Sequence, residues 1–371
     1  MSQSLSILHL LARYDPGSDP WSRRAAALMT ASGARVRHVV AADGHAGGLP
    51  EGVTGLLAQD PPPLRGTVSV ARYEAIARAM HGHDLVLSYG AGTIDAVMAR
   101  RAFSRGAPPI VHHEDPADAT TIGSGRLYRR IALGAAAGLV VRSDAAAQVA
   151  AERWKVPGAR LHVIPDGADL TAFARGPDAK AVGGFRRKPG EVAIGVLADR
   201  VADDDLTLLV RAVAGLAARF RLVVVGEGAG RAAVERAALA MGIDDRLVLP
   251  GPLAPTSRFL GGFDVLLLPM RPGAASSVVV EAMAAGVPVM ALRGGGVENM
   301  LAPPNAALLA PYAAEVSLRD ALQPLASDAA LRAEVGAANR ARAAERHDAA
   351  TMIARAAAVY SDAIGRPAFP D

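Results

Sequence analysis

The sequence contains no cysteine, which excludes disulfide bonds, thiolate nucleophiles and cysteine-ligated metal sites. Aromatic residues make up only 4% of the chain, and no basic stripe is interleaved with them, which argues against nucleic-acid binding. No stretch reaches the roughly 18 to 20 apolar residues that a membrane span needs. The first residues, Met1 to Ser4, carry neither a basic region nor a small-residue cleavage site. We therefore expect no secretory signal and a cytoplasmic protein.

Neither sign of charge dominates, because 40 lysine and arginine residues stand against 36 aspartate and glutamate residues. Arginine is nevertheless concentrated in two short segments, residues 100–105 and residues 126–130. We interpret these clusters first as solvated helix faces. The second interpretation is attraction to an anionic membrane surface or a lipid pyrophosphate, which would place the protein at the periphery of a membrane.

The length and the apolar pattern indicate two α/β domains. A chain of 371 residues exceeds one ordinary core, and a composition with 51% hydrophobic and 20% charged residues is globular. Short apolar runs alternate with segments of helical spacing, and continuous apolar runs are typical of parallel strands buried on both faces. The predicted fold is therefore α/β, with two Rossmann-like doubly wound domains facing across a cleft. The predicted strands are Leu5–Leu11, Val36–Ala41, Asp84–Ser88, Pro109–His113, Gly138–Val141, Leu161–Pro165, Val192–Leu197, Arg221–Val225, Arg246–Leu249, Asp264–Pro269 and Val287–Leu292.

The two series of strands set the predicted domain boundaries. Residues 1–172 form the first domain, and residues 191–347 form the second. Between them, residues 173–190 are predicted to be a linker, because Gly, Pro, Lys and Arg replace the apolar pattern there. Residues 348–371 are expected to form a C-terminal helix and tail that pack back on the first domain.

The segment from Asp264 to Leu292 is the most informative. A predicted buried strand is followed by a loop of small residues, and a helix is expected to start near Val278. Small residues allow a ligand close to the backbone, and the N–H groups at a helix start suit a pyrophosphate. Glu281 lies one turn into this helix, where it could accept hydrogen bonds from a ribose diol. The alternative is an ordinary capped core helix with Glu281 at its solvent edge, and these residues alone leave both interpretations open.

Four segments occur in a characteristic order: VIPDGADLTAF (163–173), a long segment with a Gly-x-Gly turn (222–253), EAMAAGVPVMA (281–291) and GGGVE (294–298). This set resembles the donor-site segments of the family 4 glycosyltransferases, over the whole second domain and the last third of the first. The resemblance implies a GT-B fold and transfer of a sugar from a nucleotide donor with retention of anomeric configuration.

The resemblance also suggests where a nucleotide-sugar donor would bind. Glu281 would contact the ribose, and Arg200 with the backbone of residues 276–278 would contact the diphosphate. The turn at residues 226–228 follows a predicted strand, and residues 251–253 would lie near the base. The predicted donor-binding residues are Arg200, Gly226, Glu227, Gly228, Gly251, Pro252, Leu253, Ser276, Ser277, Val278 and Glu281.

Several positions depart from the family pattern. The first glutamate of the family's E-x7-E falls at Gly273, and the phosphate-binding lysine is replaced by Asp204 or Asp205. Loss of that cation removes an electrostatic contact to the leaving diphosphate. Asp166 also stands where the family has asparagine. These differences point either to an altered donor or to an inactive relative. The carboxylates of residues 203–205 are interpreted as the first turn of a helix rather than as metal ligands.

Candidate residues in the first domain are less specific. Adjacent strand residues point to opposite faces, so His112 and His113 cannot form a simple chelating pair. His113, nearer the end of its strand, is predicted to face the cleft near the transferred sugar, where relatives often carry a histidine. A structural histidine is the alternative, and both remain open. Gly17 follows the first strand at the place of the family's acceptor-side glycines, with Ser18 in place of the second.

These observations predict a retaining, metal-independent glycosyltransferase that needs no cofactor and has His113 and Glu281 as catalytic residues. The predicted partners are a nucleotide-sugar donor and a cell-envelope, polysaccharide or lipid-linked acceptor, with no nucleic acid. One alternative is a catalytically impaired GT-B protein that serves as a partner or scaffold for another glycosyltransferase. Another is a sugar-nucleotide epimerase, for which Glu114 and Asp115 are the only candidate carboxylates.

Overall fold

The chain folds as two compact units. A computed structural model describes residues 5–17, 19–115, 125–198, 201, 203–227, 230–268, 277–294 and 296–366. The first unit consists of Met1–Asp166 and Ala350–Asp371, and the second of Gly167–Ala349. Within the described ranges, no helix is both long enough and apolar enough to cross a membrane.

The first unit is built on a parallel sheet with the strand order β3-β2-β1-β4-β5-β6-β7. The order changes direction between β1 and β4, which is the switch point of a doubly wound sheet. In the described part of this unit, the strands are β1 (Leu5–Leu11), β2 (Val36–Ala42), β3 (Gly55–Leu57), β4 (Leu85–Tyr89), β5 (Ile110–His113), β6 (Gly138–Val141) and β7 (Leu161–Val163).

Helices pack on this sheet and bury its apolar side chains. The first of them begins at Pro20, directly after Asp19, whose carboxylate accepts a hydrogen bond from the Ser22 backbone N–H at 2.6 Å and so caps the helix. The last helix of the chain returns to this unit and buries Met352 and Tyr360 in the same core. The helices are α1 (Pro20–Ser32), α2 (Val70–Met80), α3 (Ile94–Ala102), α4 (Gly125–Leu133), α5 (Asp144–Arg153) and, at the end of the chain, α13 (Ala349–Ile364).

The second unit repeats this architecture with a parallel sheet in the order β10-β9-β8-β11-β12. Successive side chains of β8 enter two different apolar clusters, so the strand is covered on both faces. The strands are β8 (Val192–Leu197), β9 (Phe220–Val225), β10 (Leu247–Gly251), β11 (Val265–Leu268) and β12 (Val289–Ala291). The helices are α6 (Asp203–Ala214), α7 (Arg231–Ala240), α8 (Ser277–Ala284), α9 (Val297–Met300), α10 (Pro303–Ala306), α11 (Glu315–Ser327) and α12 (Ala329–Arg346).

The prediction of two doubly wound parallel sheets is confirmed. Strand β3 was not predicted, because it has only three residues and two of them are exposed, which leaves no apolar run to detect. Residues 173–190, predicted to be a linker, do not form a free connection. Phe173 and Val182 lie in the core of the second unit, and Phe185 packs against that core. These apolar anchors are too widely spaced to stand out in a segment rich in Gly, Pro, Lys and Arg.

Candidate functional site

The carboxyl edge of the second sheet is the candidate donor site. In a doubly wound sheet, ligands bind beyond the carboxyl ends of the strands, next to the switch point. Here the order of strands changes direction between β8 and β11. The loops after these two strands contain predicted Arg200, Gly273 and Ser276, all of which lie outside the described residues.

Helix α8 follows β11 and carries Glu281 at its fifth residue, in agreement with the prediction that this glutamate lies one turn into the helix. The neighbouring apolar side chains of α8 are buried, so the helix packs against the core of the second unit. Glu281 is the only carboxylate on this helix. Ser277 is half-buried, whereas the Val278 side chain is buried in the core. Any contact of Val278 with a ligand would therefore be made by its backbone.

Thr256 orients the Glu281 carboxylate. The Thr256 Oγ1 hydroxyl donates a hydrogen bond of 2.7 Å to Glu281 Oε2. Thr256 lies in the segment after β10, and the following residues Phe259 and Leu260 belong to the same apolar cluster as α8. This packing explains how a threonine 25 positions away in sequence reaches Glu281. Thr256 belongs to no recognisable motif, so no signal in the sequence indicates its contact with Glu281.

Two further predicted segments meet at the ends of β9 and β10. The Gly226 backbone N–H donates to the Gly251 carbonyl oxygen at 2.9 Å. Gly226 has a φ of +115° and Gly251 a φ of +83°, and residues other than glycine rarely adopt such positive values. A Cβ placed on Gly251 would lie 3.6 Å from Glu227 Oε1, so the Glu227 carboxylate lies beside this turn. The structure thus brings Gly226, Glu227 and Gly251 together.

The remaining predicted donor residues are placed as follows. Pro252 is exposed directly after β10, and Leu253 packs against the apolar core. Gly228 lies outside the described residues. In the segment after β12, the Gly294 backbone N–H donates to Glu298 Oε2 at 3.1 Å, so a hydrogen bond joins the first and last residues of the GGGVE motif.

The aspartates at residues 203–205 begin helix α6, which agrees with their interpretation as a helix start. Carboxylates in a first turn are stabilised by the positive end of the helix dipole. In the part of the chain that the structure describes, no group of three histidine or carboxylate residues is arranged to hold a metal ion.

In the first unit, His113 is fully buried at the end of β5. Its ring stacks on Tyr89, with 4.6 Å between the ring centroids. Nδ1 lies 3.3 Å from the Ser88 carbonyl oxygen and Nε2 lies 3.0 Å from the Tyr360 hydroxyl. Burial, and then the positive charge of Arg24, hold the pKa of His113 well below its usual value. Its predicted catalytic role stays a prediction, and it would require one of these hydrogen bonds to be given up.

His112 faces different partners from His113, as expected for adjacent strand residues. Its Nδ1 is hydrogen-bonded to Ser88 Oγ at 2.8 Å, and its Nε2 lies 3.4 Å from Glu114 Oε2. Glu114 also accepts from Arg129, whose Nη2 lies 2.8 Å from Oε1. Arg129 is buried, so the interpretation of residues 126–130 as a solvated helix face is wrong at this position.

An unpredicted network of charged side chains lies where β5, β6 and β7 end. Asp166 is paired with Arg24 at 2.9 Å and with Arg142 at 3.4 Å, and Arg142 also pairs with Asp115 at 3.1 Å. Burial alone would raise the pKa of Asp166, but the two arginines outweigh it and hold the pKa below its usual value. The Arg142 guanidinium lies over the ring of Trp21, at 4.6 Å from the ring centroid. The sequence offered one signal for this network. Asp115, Arg142 and Asp166 each come shortly after the end of a predicted strand, and such ends lie at the same edge of a parallel sheet.

Gly17 is exposed in the turn between β1 and α1, and Ser18 lies outside the described residues. A Cβ on Gly17 would lie 3.4 Å from Asp15 Oδ1, an ordinary contact, so packing alone does not require glycine there. The acceptor-side role of this loop stays a prediction.

Comparison with known proteins gives consistent results in sequence and in fold. Residues 189–328 match the profile of the family Glycosyl transferases group 1. A D-inositol 3-phosphate glycosyltransferase of Stackebrandtia nassauensis is 30% identical over 62% of this chain and 55% of its own length. A 2-deoxystreptamine glucosyltransferase of Streptomyces kanamyceticus is 32% identical over 49% of each chain. The chain thus spans about half the length of these curated relatives.

Solved structures match over nearly the full chain. A glycosyltransferase from Rickettsia africae superposes with a TM-score of 0.74 at 12% identity, covering 98% of this chain and 99% of that one. Anabaena HepE in complex with UDP superposes with a TM-score of 0.73 at 18% identity, covering 96% of this chain and 100% of that one. At these identities the likeness establishes the two-domain fold.

Proposed function

Starting from a chain that is like the family 4 glycosyltransferases and has the GT-B fold, we propose that it transfers a sugar from a nucleotide-sugar donor to an acceptor hydroxyl with retention of configuration. The second unit binds the donor and the first unit binds the acceptor. In the reaction, the bond between the anomeric carbon and the diphosphate oxygen breaks, and the acceptor oxygen bonds to that carbon from the same face. The acceptor proton passes to the departing diphosphate, so no protein base and no metal are needed.

The placement of Glu281 carries this proposal. It lies on a well-packed helix after β11, beside the switch point of the sheet, with its carboxylate oriented by Thr256. A carboxylate in that place suits the paired hydroxyls of a ribose, because its oxygens accept hydrogen bonds from both. The turn formed by Gly226, Glu227 and Gly251 adds a second polar surface at the same edge of the sheet. The family profile, residues 189–328, falls within this unit.

Donor binding is tested by thermal unfolding of the purified chain in the presence of UDP-, GDP-, ADP- or CMP-sugars. Each measurement is made with and without a chelator of divalent metal ions. At about a hundredfold over the dissociation constant, binding adds about 2.7 kcal/mol to the native state and raises the Tm by several degrees. We expect one nucleotide class to give this shift and the chelator to leave it unchanged. A shift that disappears with the chelator would overturn metal independence. If no nucleotide sugar shifts the Tm, the donor proposal is wrong, and the scaffold alternative gains support.

For the acceptor, we propose a cell-envelope, polysaccharide or lipid-linked glycan reached at an anionic membrane surface. Helix α4 supports this: Leu127 and Ile131 are 64% and 40% exposed and lie four residues apart on one helix face. Arg126 and Arg130 are exposed immediately before them. Apolar side chains beside arginines fit the interface of a membrane that contains anionic lipids.

We expect the protein to sediment with phosphatidylglycerol vesicles and not with phosphatidylcholine vesicles. Replacing both Leu127 and Ile131 by aspartate should lower the affinity for these vesicles at least about tenfold. The apolar contact is lost, and the negative charge of aspartate is repelled by the negatively charged lipid. Leu239→Asp is the matched control, since Leu239 is 68% exposed on α7 in the second unit. If the double variant and the wild type sediment equally with the vesicles, helix α4 does not contact the membrane.

The scaffold alternative has specific observations in its favour. Asp204 or Asp205 stands in place of the phosphate-binding lysine, and both residues lie in the first turn of α6. The epimerase alternative is not supported, because its two candidate carboxylates are engaged in the structure. Glu114 is buried against Arg129, and Asp115 is paired with Arg142. Donor turnover separates the enzyme from the scaffold.

A further inference from the structure

The carboxyl edge of the first sheet carries charged side chains around Trp21, and the proposed function leaves them without a role. Trp21 is the second residue of α1. A Cβ placed on Gly90, directly after β4, would lie 3.2 Å from Cδ1 and Nε1 of the Trp21 ring. Arg142 directly follows β6, and its guanidinium lies over the same ring. Trp21 and Arg142 therefore lie beside the switch point between β1 and β4, where a doubly wound sheet binds its ligands.

Four charged side chains at this edge form one network of ion pairs. Asp166 Oδ1 accepts from Arg24 Nη1 at 2.9 Å, and Asp166 Oδ2 accepts from Arg142 Nη1 at 3.4 Å. Asp115 Oδ2 accepts from Arg142 Nε at 3.1 Å. Arg24 is buried, but the side chains of Arg142, Asp115 and Asp166 remain 11%, 18% and 28% exposed, respectively. A ligand at this edge can therefore contact one guanidinium group and two carboxylates.

The charges within this network balance, because two guanidinium groups face two carboxylates. Burial would raise the pKa of Asp166, but Arg142 and Arg24 outweigh it and keep the pKa below its usual value, so this carboxylate is ionised at neutral pH. An anionic ligand would be repelled by the two carboxylates, and a cationic ligand would be repelled by Arg142. An uncharged polyol avoids both costs, since its hydroxyl groups can donate to the carboxylates and accept from the guanidinium.

We propose that Asp166 makes this edge select an acceptor whose bound part is an uncharged, hydroxyl-rich group, such as the terminal sugar of a glycan, over a phosphorylated one. The assignment of this ligand to the acceptor rests on the proposed function. Asp166 stands where the resembling family has asparagine, which would leave two guanidinium groups facing a single carboxylate. Such an edge would attract a phosphate, because arginine pairs well with phosphate oxygens. Asp166 is thus a specificity-determining residue.

The test is a titration of the full chain, without a donor, with glucose and with glucose 6-phosphate at constant ionic strength. Saturation-transfer NMR measures the two dissociation constants, and their ratio is compared between the wild type and Asp166→Asn. We expect the variant to shift this ratio at least about tenfold in favour of glucose 6-phosphate, because one negative charge next to the phosphate is removed. A gain of affinity for one ligand is not the result of a merely damaged fold. Asp166→Glu keeps the charge and should keep the wild-type ratio.

Two further variants make the result decisive. Asp115→Asn removes the other carboxylate and should shift the ratio in the same direction, so it replaces Asp166→Asn if the loss of the partner of buried Arg24 prevents folding. Asp178→Asn is the matched control, because Asp178 is an exposed aspartate paired with Arg258 in the second unit, and it should leave the ratio unchanged. A wild-type ratio in every folded variant of Asp166 and Asp115 would overturn the proposal.

The experiment also separates this inference from the proposed function, since sugar binding to the first unit needs neither a donor nor sugar transfer. If the ratio shifts and a nucleotide sugar also raises the Tm of the wild type, both the charge selection and its assignment to the acceptor are supported. If the ratio shifts but no nucleotide sugar binds, the edge still selects by charge, and the assignment of its ligand to an acceptor is overturned.

Discussion

Arg129→Met is expected to destabilise the first unit by about 3–5 kcal/mol, the usual cost of removing one partner of a buried ion pair. Glu114 is fully buried, and its Oε1 accepts from Arg129 Nε at 2.9 Å and lies 2.8 Å from Nη2. Burial alone would raise the pKa of Glu114, but His112 and Arg129 outweigh it and lower the pKa. The carboxylate is therefore ionised at neutral pH, and without Arg129 it would be left as a poorly compensated buried charge.

The measurement is urea unfolding at pH 7, followed by tryptophan fluorescence and circular dichroism. Both tryptophans of the chain, Trp21 and Trp154, lie in the first unit, so the fluorescence reports on that unit. Arg129→Met combined with Glu114→Gln should recover much of the loss, because neither charge of this buried pair remains. As a matched control, Arg78→Met removes the exposed pair with Glu74 and should change stability by less than about 1 kcal/mol. A loss below about 1 kcal/mol for Arg129→Met would show that water reaches Glu114.

Most of the fold could be predicted from the sequence, because parallel strands covered on both faces appear as continuous apolar runs. The predicted bounds of Gly138–Val141 and Val192–Leu197 are those observed. The exposed strand Gly55–Leu57 could not be predicted, since its position depends on pairing with β2 and not on apolar side chains. In residues 173–190, the composition concealed the packing of Phe173 and Val182, which depends on the neighbouring core.

The candidate site could be predicted only in part. The position of Glu281 follows from a local signal, a loop of small residues before an apolar helix. Its partner Thr256 could not be predicted, because the packing of a separate segment brings the two together. The same applies to Arg129, where a run of charges on a helix does not reveal that one arginine points inward to a carboxylate. The stacking of His113 on Tyr89 could not be predicted either, because it depends on the pairing of two strands and not on the local sequence.

Glu281→Gln is expected to weaken donor binding by about 10- to 100-fold, the range for hydrogen bonds to an ionised group. The amide keeps one acceptor oxygen but loses the charge, and its NH₂ group cannot accept from a ribose hydroxyl. Thr256→Val should weaken binding several-fold, because the carboxylate loses the hydroxyl that orients it. Glu235→Gln is the matched control, since Glu235 is an exposed carboxylate on α7, and it should leave the affinity unchanged.

A double-mutant cycle distinguishes a ribose contact from a general loss of the site. Wild-type protein and Glu281→Gln are each titrated with the nucleoside diphosphate of the donor identified by thermal unfolding, and with its 2′-deoxy form. If Glu281 accepts from the ribose, removing the 2′-hydroxyl costs the wild type affinity but costs the variant little, so the two losses do not add. Additive losses would mean that Glu281 does not contact this hydroxyl.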